Sequence, residues 1–259
     1  MSDHKSEVEQ MWRDWFTTDA FRVERQIFRV FRLLPHDPRC KICYSPFRGT
    51  GGLIMRSLLG RKQSNLNPHF CNVCEDFAKR NPGGAEVEMS MLFADVRGST
   101  ALSEQMTSTE FNKLINRFYI GTTNAIAEED GLVEKLAGDA VAAFWGAGFA
   151  GKDYVAKTIR AAQTIAPLMQ KQNIPVGIGV HAGVAYFGAM GSADGLINIS
   201  AIGEEVNAAA RLASKAAAGE IILSEPALAQ AHLDGSELES RKLELKGISE
   251  QVSVRVMRV

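Results

Sequence analysis

The sequence predicts an α/β sandwich, with helices packed on a largely antiparallel sheet. Two observations point to it. From residue 85 onward, apolar runs of strand character alternate with segments whose apolar residues recur every three or four positions. Some of these runs flank Gly-containing turns, so hairpins are mixed with the helices. Composition agrees: the 259 residues are 46% hydrophobic and 23% charged, enough apolar material for a sizeable core and too little excess charge for a disordered chain. Lys+Arg number 29 against 30 Asp+Glu, a net charge of -1, which lacks the basic surplus of a general nucleic-acid binder. No apolar run approaches the roughly 18 residues of a membrane span, and Met1-Ser-Asp-His-Lys has no signal-peptide character. The expectation is a soluble, cytoplasmic protein.

The elements follow in order. Residues 6–34 read as one or two helices. Val8, Met11, Trp12 and Trp15 share one apolar face, and Val23, Ile27, Val30, Phe31 and Leu34 share another. Thr17-Thr18-Asp19 reads as a break and new N-cap. Arg22, Arg25, Arg29 and Arg32 form a basic stripe, either a solvated face or a contact for anionic lipid or a partner helix. Pro35-His36-Asp37-Pro38 ends this region, and Asn81-Pro82-Gly83-Gly84 reads as a linker. The expected organisation is a helical segment over 1–37, a cysteine module over 38–82 and a larger domain over 85–259.

In that domain, 87–94 is a strongly apolar strand. Thr107-Ser-Thr-Glu110 is a capping box opening a helix with Phe111, Leu114, Ile115, Phe118 and Ile126 on one side. Residues 131–145 read as two strands around Gly138-Asp139. A helix follows with Val155, Ile159, Ala162, Ala166 and Met169 inward. Two short strands, 176–180 and 184–187, are expected to flank a turn at Gly183. A helix over 206–217 ends at Gly219, and 220–223 and 252–256 complete the strands.

All four cysteines fall in one stretch, C-x2-C-x27-C-x2-C, as Cys40, Cys43, Cys71 and Cys74. Two such pairs supply four thiolates for a closed tetrahedral zinc site in a treble-clef or ribbon arrangement, and an iron–sulfur cluster is the alternative. The site either supports folding alone or regulates the larger domain.

Two carboxylates stand out. Asp95 leaves the buried strand into Val96-Arg-Gly98-Ser-Thr100, where a Gly-containing turn lets backbone N–H groups approach an anion. Asp139 sits at the hairpin tip of Lys135-Leu-Ala-Gly138-Asp139. Alone each reads as a turn residue; together they could share Mg²⁺, which prefers oxygen ligands. Asn207 and Arg211, four apart on a helix, share one face and suit a sugar oxygen and a phosphate.

Phe93-Ala-Asp95-Val-Arg-Gly98-Ser-Thr100, Lys135-x-x-Gly138-Asp139, Gly179-Val-His181-Ala-Gly183, Gly203-x-x-Val-Asn207-x-Ala-Ala-Arg211 and Leu245-Lys246-Gly247 together resemble the class III nucleotidyl cyclases, in order and spacing, over about 86–259. The resemblance implies a ferredoxin-like α/β (α+β) domain working as a homodimer with shared active sites. It assigns Asp95, Val96 and Asp139 to two Mg²⁺ or Mn²⁺ ions, and Gly98, Ser99 and Thr100 to the substrate. Asn207 would orient the ribose and Arg211 stabilise the α-phosphate. Lys135 and Ser200 would read the purine, and Lys246 the terminal phosphates. Ser99 replaces an aromatic common in the first motif, and Glu204 the usual Asp; neither is a metal-ligand position. Guanylate cyclases typically carry Glu where Lys135 stands. Lysine can donate to adenine N1 but cannot accept the guanine N–H groups, so the expectation is an adenylate cyclase making cyclic AMP and pyrophosphate from ATP. A guanylate cyclase, or a non-catalytic nucleotide- or redox-sensing module on the same fold, are the alternatives.

Overall fold

The computed structural model describes residues 2–35, 37–192, 195–244 and 251–259. The chain forms two compact units, Met1–Val87 with Tyr186–Ile202, and Glu88–Ala185 with Gly203–Val259. The mixed α/β class expected from the sequence is present.

The first unit begins with α1 (Ser2–Thr17) and α2 (Arg22–Leu33). The predicted face of α1 is buried: Trp12 and Phe16 are fully enclosed, Trp15 stacks on Phe187 at 5.7 Å, and Trp12 Nε1 donates to the Asn81 carbonyl at 3.0 Å. A buried indole needs such an acceptor. The expected apolar face of α2 is not a core face. Phe31 is buried, but Val23 and Val30 are 69% and 59% exposed. The break expected at Thr17-Thr18-Asp19 is present, but the N-cap of α2 is Phe21, and Asp19 pairs with Arg25. At the other end, Arg39 donates to the carbonyls of Phe31, Arg32 and Leu34, satisfying groups that a helix end leaves open.

Next come α3 (Gly49–Leu59) and α4 (Asn72–Arg80). The first of these carries Gly49, Gly51 and Gly52, although glycine is a poor helix former. It is helical because it packs on its surroundings, a Cβ at Gly51 lying 2.2 Å from the Pro35 carbonyl oxygen.

The chain then enters β1 (Gly83–Val96), so Gly83 and Gly84 of the expected linker are the start of a strand. Its glycines serve close approach rather than flexibility, because a Cβ on Gly84 would lie 2.2 Å from the Phe187 carbonyl oxygen.

The second unit continues with α5 (Ser99–Gln105), α6 (Ser108–Glu128), β2 (Leu132–Ala137), β3 (Ala140–Trp145), α7 (Ala147–Ala150) and α8 (Tyr154–Lys171). The capping box forms as predicted: Thr107 Oγ1 accepts from the Glu110 amide, and Glu110 accepts from the Thr107 amide. The inward residues predicted for α8 are all buried.

Then β4 runs unbroken from Val176 to Gly191, which corrects the expected turn at Gly183. It is followed by β5 (Ile197–Ile202), α9 (Glu204–Lys215), β6 (Glu220–Ser224), α10 (Glu225–Gln230), β7 (Glu239–Leu243) and β8 (Val252–Arg258). The strands order as β2-β3-β1-β4-β6-β8-β7, with β5 paired to residues 186–191 of β4. The pairings of β1 with β3, β2 with β3, β4 with β5, β6 with β8 and β7 with β8 are antiparallel, and that of β4 with β6 is parallel.

Successive strand residues face opposite sides of a sheet, and the core divides accordingly. Ile221 and Leu223 join the large core with α6 and α8, whereas Ile222 joins Leu212, Ala216, Val254 and Val256 under α9. Among the described residues no helix is long and apolar enough to cross a membrane.

Candidate active site

Asp95 lies one residue from the end of β1 and is paired in register with Ala140, the residue after Asp139. The Val96 amide donates to the Asp139 carbonyl at 2.9 Å, which locks the strand end to the hairpin tip. Gly138 takes a φ of 62°, a conformation glycine adopts without strain, and Tyr119 Oη on α6 donates to its carbonyl at 2.7 Å. Backbone and helix thus fix both carboxylates. Burial raises the Asp95 pKa, and the charge of Asp139 adds to the rise while Arg97 opposes it. Arg97 Nη2 donates to Asp95 Oδ1, and Ser99 Oγ donates to Asp139 Oδ2.

Ser99, Thr100, Phe111, Asn112, Gly138 and Asp139 line an open cleft of about 570 Å³. That volume lies within the range of small-molecule sites. Gly98 takes a φ of 66° as the residue before α5.

Asn207 and Arg211 come from a third element, α9, whose seat on the sheet is decided by β4. Residues 176, 178, 180 and 182 of that strand belong to the large core. The alternate residues 177, 179, 181 and 183 meet α9. A Cβ on Gly179 would lie 2.3 Å from the Ala213 amide nitrogen, and one on Gly177 2.6 Å from the Ala216 carbonyl oxygen. At Gly183 the Glu205 side chain lies in the space a Cβ would take, at 2.9 Å. Glu205 Oε2 also pairs with Nε2 of buried His181. The Gly179-Val-His181-Ala-Gly183 motif is therefore a flat bed for α9. At its far end Arg97 Nη1 donates to the Ser214 carbonyl at 3.0 Å.

Lys135 is exposed on β2, just past an irregularity between Val133 and Lys135. Ser200 is on β5, opposite Gly188 of β4, and belongs to the other unit. Lys246 lies outside the described residues.

Residues 85–256 match the family model of the adenylate and guanylate cyclase catalytic domain. The chain belongs to this family. Its structural neighbours share the cyclase fold. The guanylyl cyclase Cya2 superposes with a TM-score of 0.63 at 23% identity, covering 67% of this chain and 93% of that one. The adenylyl cyclase CyaB from P. aeruginosa gives 0.58 at 24%, covering 66% and 94%. Two uncharacterized proteins of Mycobacterium tuberculosis align at 33% identity over 132 residues and 32% over 150. These stretches cover 50% and 56% of this chain but 24% and 28% of the relatives, so the chain spans about a quarter of the length of the curated relatives it matches.

Two side chains of the cyclase domain acquire a place only in three dimensions. Arg97 bridges Asp95 and α9, and Tyr119 holds the hairpin tip. The first had a faint sequence signal, since residues two apart at a strand end point the same way. The second had none, because α6 meets the hairpin only through folding.

The cysteines lie before the residues matched to the cyclase family. All four are buried, and their Sγ atoms lie within 4.8 Å of one another. Cys40 and Cys43 flank a turn closed by Tyr44 N donating to the Cys40 carbonyl, with Tyr44 at a φ of 59°. Cys71 is the N-cap of α4, and the Cys74 amide donates to its sulfur at 3.4 Å. Arg61 Nη1 stands 3.5 Å from the sulfurs of both Cys43 and Cys71. Hydrogen bonding from Cys40, and then from Cys43 and Cys74, holds the Cys71 thiol well below its ordinary pKa. Four sulfurs in one closed, buried set are what a structural metal ion requires, so this group can hold one.

Proposed function

We propose that this chain is an adenylate cyclase that converts ATP to 3′,5′-cyclic AMP and pyrophosphate as a homodimer. The observation that carries the reading is the Asp95–Asp139 pair, two carboxylates at adjoining strand ends in a cyclase domain. They fit divalent cations of the magnesium class, because their oxygen donors are hard and positive charge relieves the burial, and the lesser repulsion from Asp139, that raise the Asp95 pKa. Asp95, the Val96 backbone and Asp139 would hold Mg²⁺ or Mn²⁺, two ions per site. When bound, such ions neutralise phosphate charge and acidify the attacking ribose hydroxyl.

The remaining roles fall to this chain's own groups. Asn207 orients the ribose so that its 3′-oxygen faces the α-phosphorus in line. Arg211, one turn along α9, counters the charge that develops there as the bond to pyrophosphate breaks. Ser99 and Thr100 line the cleft that would receive the phosphates, with Gly98 turning the chain just before them, and Lys246 would reach the terminal ones. Lys135 donates to adenine N1, and the Ser200 hydroxyl accepts from the 6-amino group. The flat bed of β4 matters because Arg211 acts only if α9 is placed correctly, and misplacement of about 1 Å costs roughly 10²-fold in rate.

Replacing Lys135 by Glu, with Ser200 changed to Cys in the same protein, reverses the hydrogen-bond polarity at the base. The expected result is a shift of product from cyclic AMP towards cyclic GMP. An unchanged ATP-to-GTP ratio would place base reading elsewhere.

A further inference from the structure

We propose that the four cysteines hold one tetrahedral metal ion of the zinc class, and that this ion fixes β5, the strand carrying Ser200. The second half rests on the reading of Ser200 as a base contact.

The single-ion claim follows from the sulfur geometry. A tetrahedral ion with metal–sulfur bonds of about 2.3 Å sets its sulfurs about 3.8 Å apart. Cys43 Sγ and Cys71 Sγ are 3.7 Å apart, and all four sulfurs fit within 4.8 Å. An iron–sulfur cluster distributes its cysteines over separate irons and holds their sulfurs apart by its own bulk. No such space exists between these four. The surroundings suit a closed site with excess negative charge. The Cys71 amide donates to Cys40 Sγ at 3.3 Å, and the Arg61 guanidinium, which lies over the Phe31 ring at 5.2 Å, faces two of the sulfurs. Four thiolates around a divalent ion leave a net charge of -2, which Arg61 and the amides partly offset.

The link to β5 runs through both cysteine pairs. Lys41, between Cys40 and Cys43, extends Nζ to Asn198 Oδ1 on β5 at 2.7 Å. Its amide donates to the His69 carbonyl at 2.9 Å, which ties the first pair to the loop leading into the second. From that loop, Asn67 Nδ2 donates to the Ile197 carbonyl at 3.0 Å, while Asn67 Oδ1 accepts from the His69 amide at 3.1 Å. The α4 helix that begins at Cys71 packs on β5 as well. Asn198 and Ile197 are the residues that lead directly to Ser200. These anchors come from loops with little regular structure, so their positions depend on the ion that closes them.

The test uses the full chain purified under reducing conditions, and Zn²⁺ as the metal probe. The proposal expects a colourless protein with one zinc per chain, and a tetrahedral thiolate spectrum after exchange for Co²⁺. Cysteine replacements risk unfolding the module, so the informative variant is Lys41→Ala combined with Asn67→Ala, which leaves the ligands intact. It should keep its zinc, speed hydrogen exchange in residues 197–202, and raise the KM for ATP about fivefold, the worth of one hydrogen bond, with kcat little changed. Iron with labile sulfide in the purified protein would overturn the single-ion claim. Unchanged exchange in β5 in the zinc-retaining variant would overturn the coupling. If β5 loosens but KM stays fixed, and Ser200→Ala also leaves KM fixed, the coupling stands and the base-reading role of Ser200 falls.

Discussion

Arg97 donates from Nη2 to Asp95 while its Nη1 binds the Ser214 carbonyl at 3.0 Å, so one side chain joins a candidate metal ligand to the helix bearing Arg211. On the proposed reading, a cation bound at Asp95 would take over the charge that Arg97 supplies. The proposed metal site and the placement of α9 are therefore linked by a single guanidinium.

Replacing Asp95 or Asp139 with Asn should lower cyclase turnover by about three orders of magnitude, the several kcal/mol that a metal ion supplies to charge stabilisation. The fold should survive, since Asn keeps the shape and the strand register. Thermal melts with and without Mn²⁺ check the assignment: the wild type should gain stability from the ion, and each variant should lose that gain.

Gly179→Val places a branched side chain where the Ala213 amide nitrogen stands 2.3 Å from a Cβ. Overpacking of this kind costs about 1–3 kcal/mol. The helix must lift, carrying Asn207 and Arg211 with it. Denaturant melts should show the loss of stability, and kcat should fall more than KM rises. A variant with normal kcat would separate the β4 bed from catalysis.

Glu220, which does not line the cleft, supplies a pH signature. Arg241 holds its carboxylate with bonds of 3.0 and 2.9 Å, and this pairing lowers its pKa from 4.5 to about 2. A carboxylate with a depressed folded-state pKa stabilises fully above its unfolded value and loses that contribution as pH falls through the folded one. Wild type should therefore exceed Glu220→Gln in stability above pH 4.5, with the gap closing as pH falls towards 2. Melting temperatures across that range give the check, and a gap that widens on acidification would contradict it.

Shared active sites predict complementation. Asp95→Ala and Arg211→Ala should each be inactive alone. Mixed under conditions that exchange subunits, they should recover activity, because one of the two sites in a heterodimer keeps every group. Demonstrated exchange without recovery would mean that both sets act within one chain.

Much of the fold was legible in the sequence because local chemistry and tertiary structure agree there. The Thr107–Glu110 capping box opens α6, and the apolar period of α8 points inward throughout. Where glycine is involved the two disagree. Gly183 carries the signal of a turn yet sits mid-strand, because its bare backbone receives the Glu205 side chain from another element. Breaking β4 there also hides β5, whose partners are residues 186–191 at the far end of the same strand. The stripe on α2 has helical period but stays largely exposed, as periodicity reports a face without naming what covers it. The spacing of Asp95, Asp139, Asn207 and Arg211 was readable as motif. The ties of Arg97 to α9 and Tyr119 to Gly138 were not, since each joins elements that meet only on folding.

The most direct measurement offers the purified chain equal concentrations of ATP and GTP with Mn²⁺ and reads the cyclic products by mass spectrometry. The account predicts cyclic AMP in large excess over cyclic GMP, with pyrophosphate formed in equal amount to cyclic product. Predominant cyclic GMP, or no cyclic nucleotide from a folded, metal-loaded protein, would contradict it.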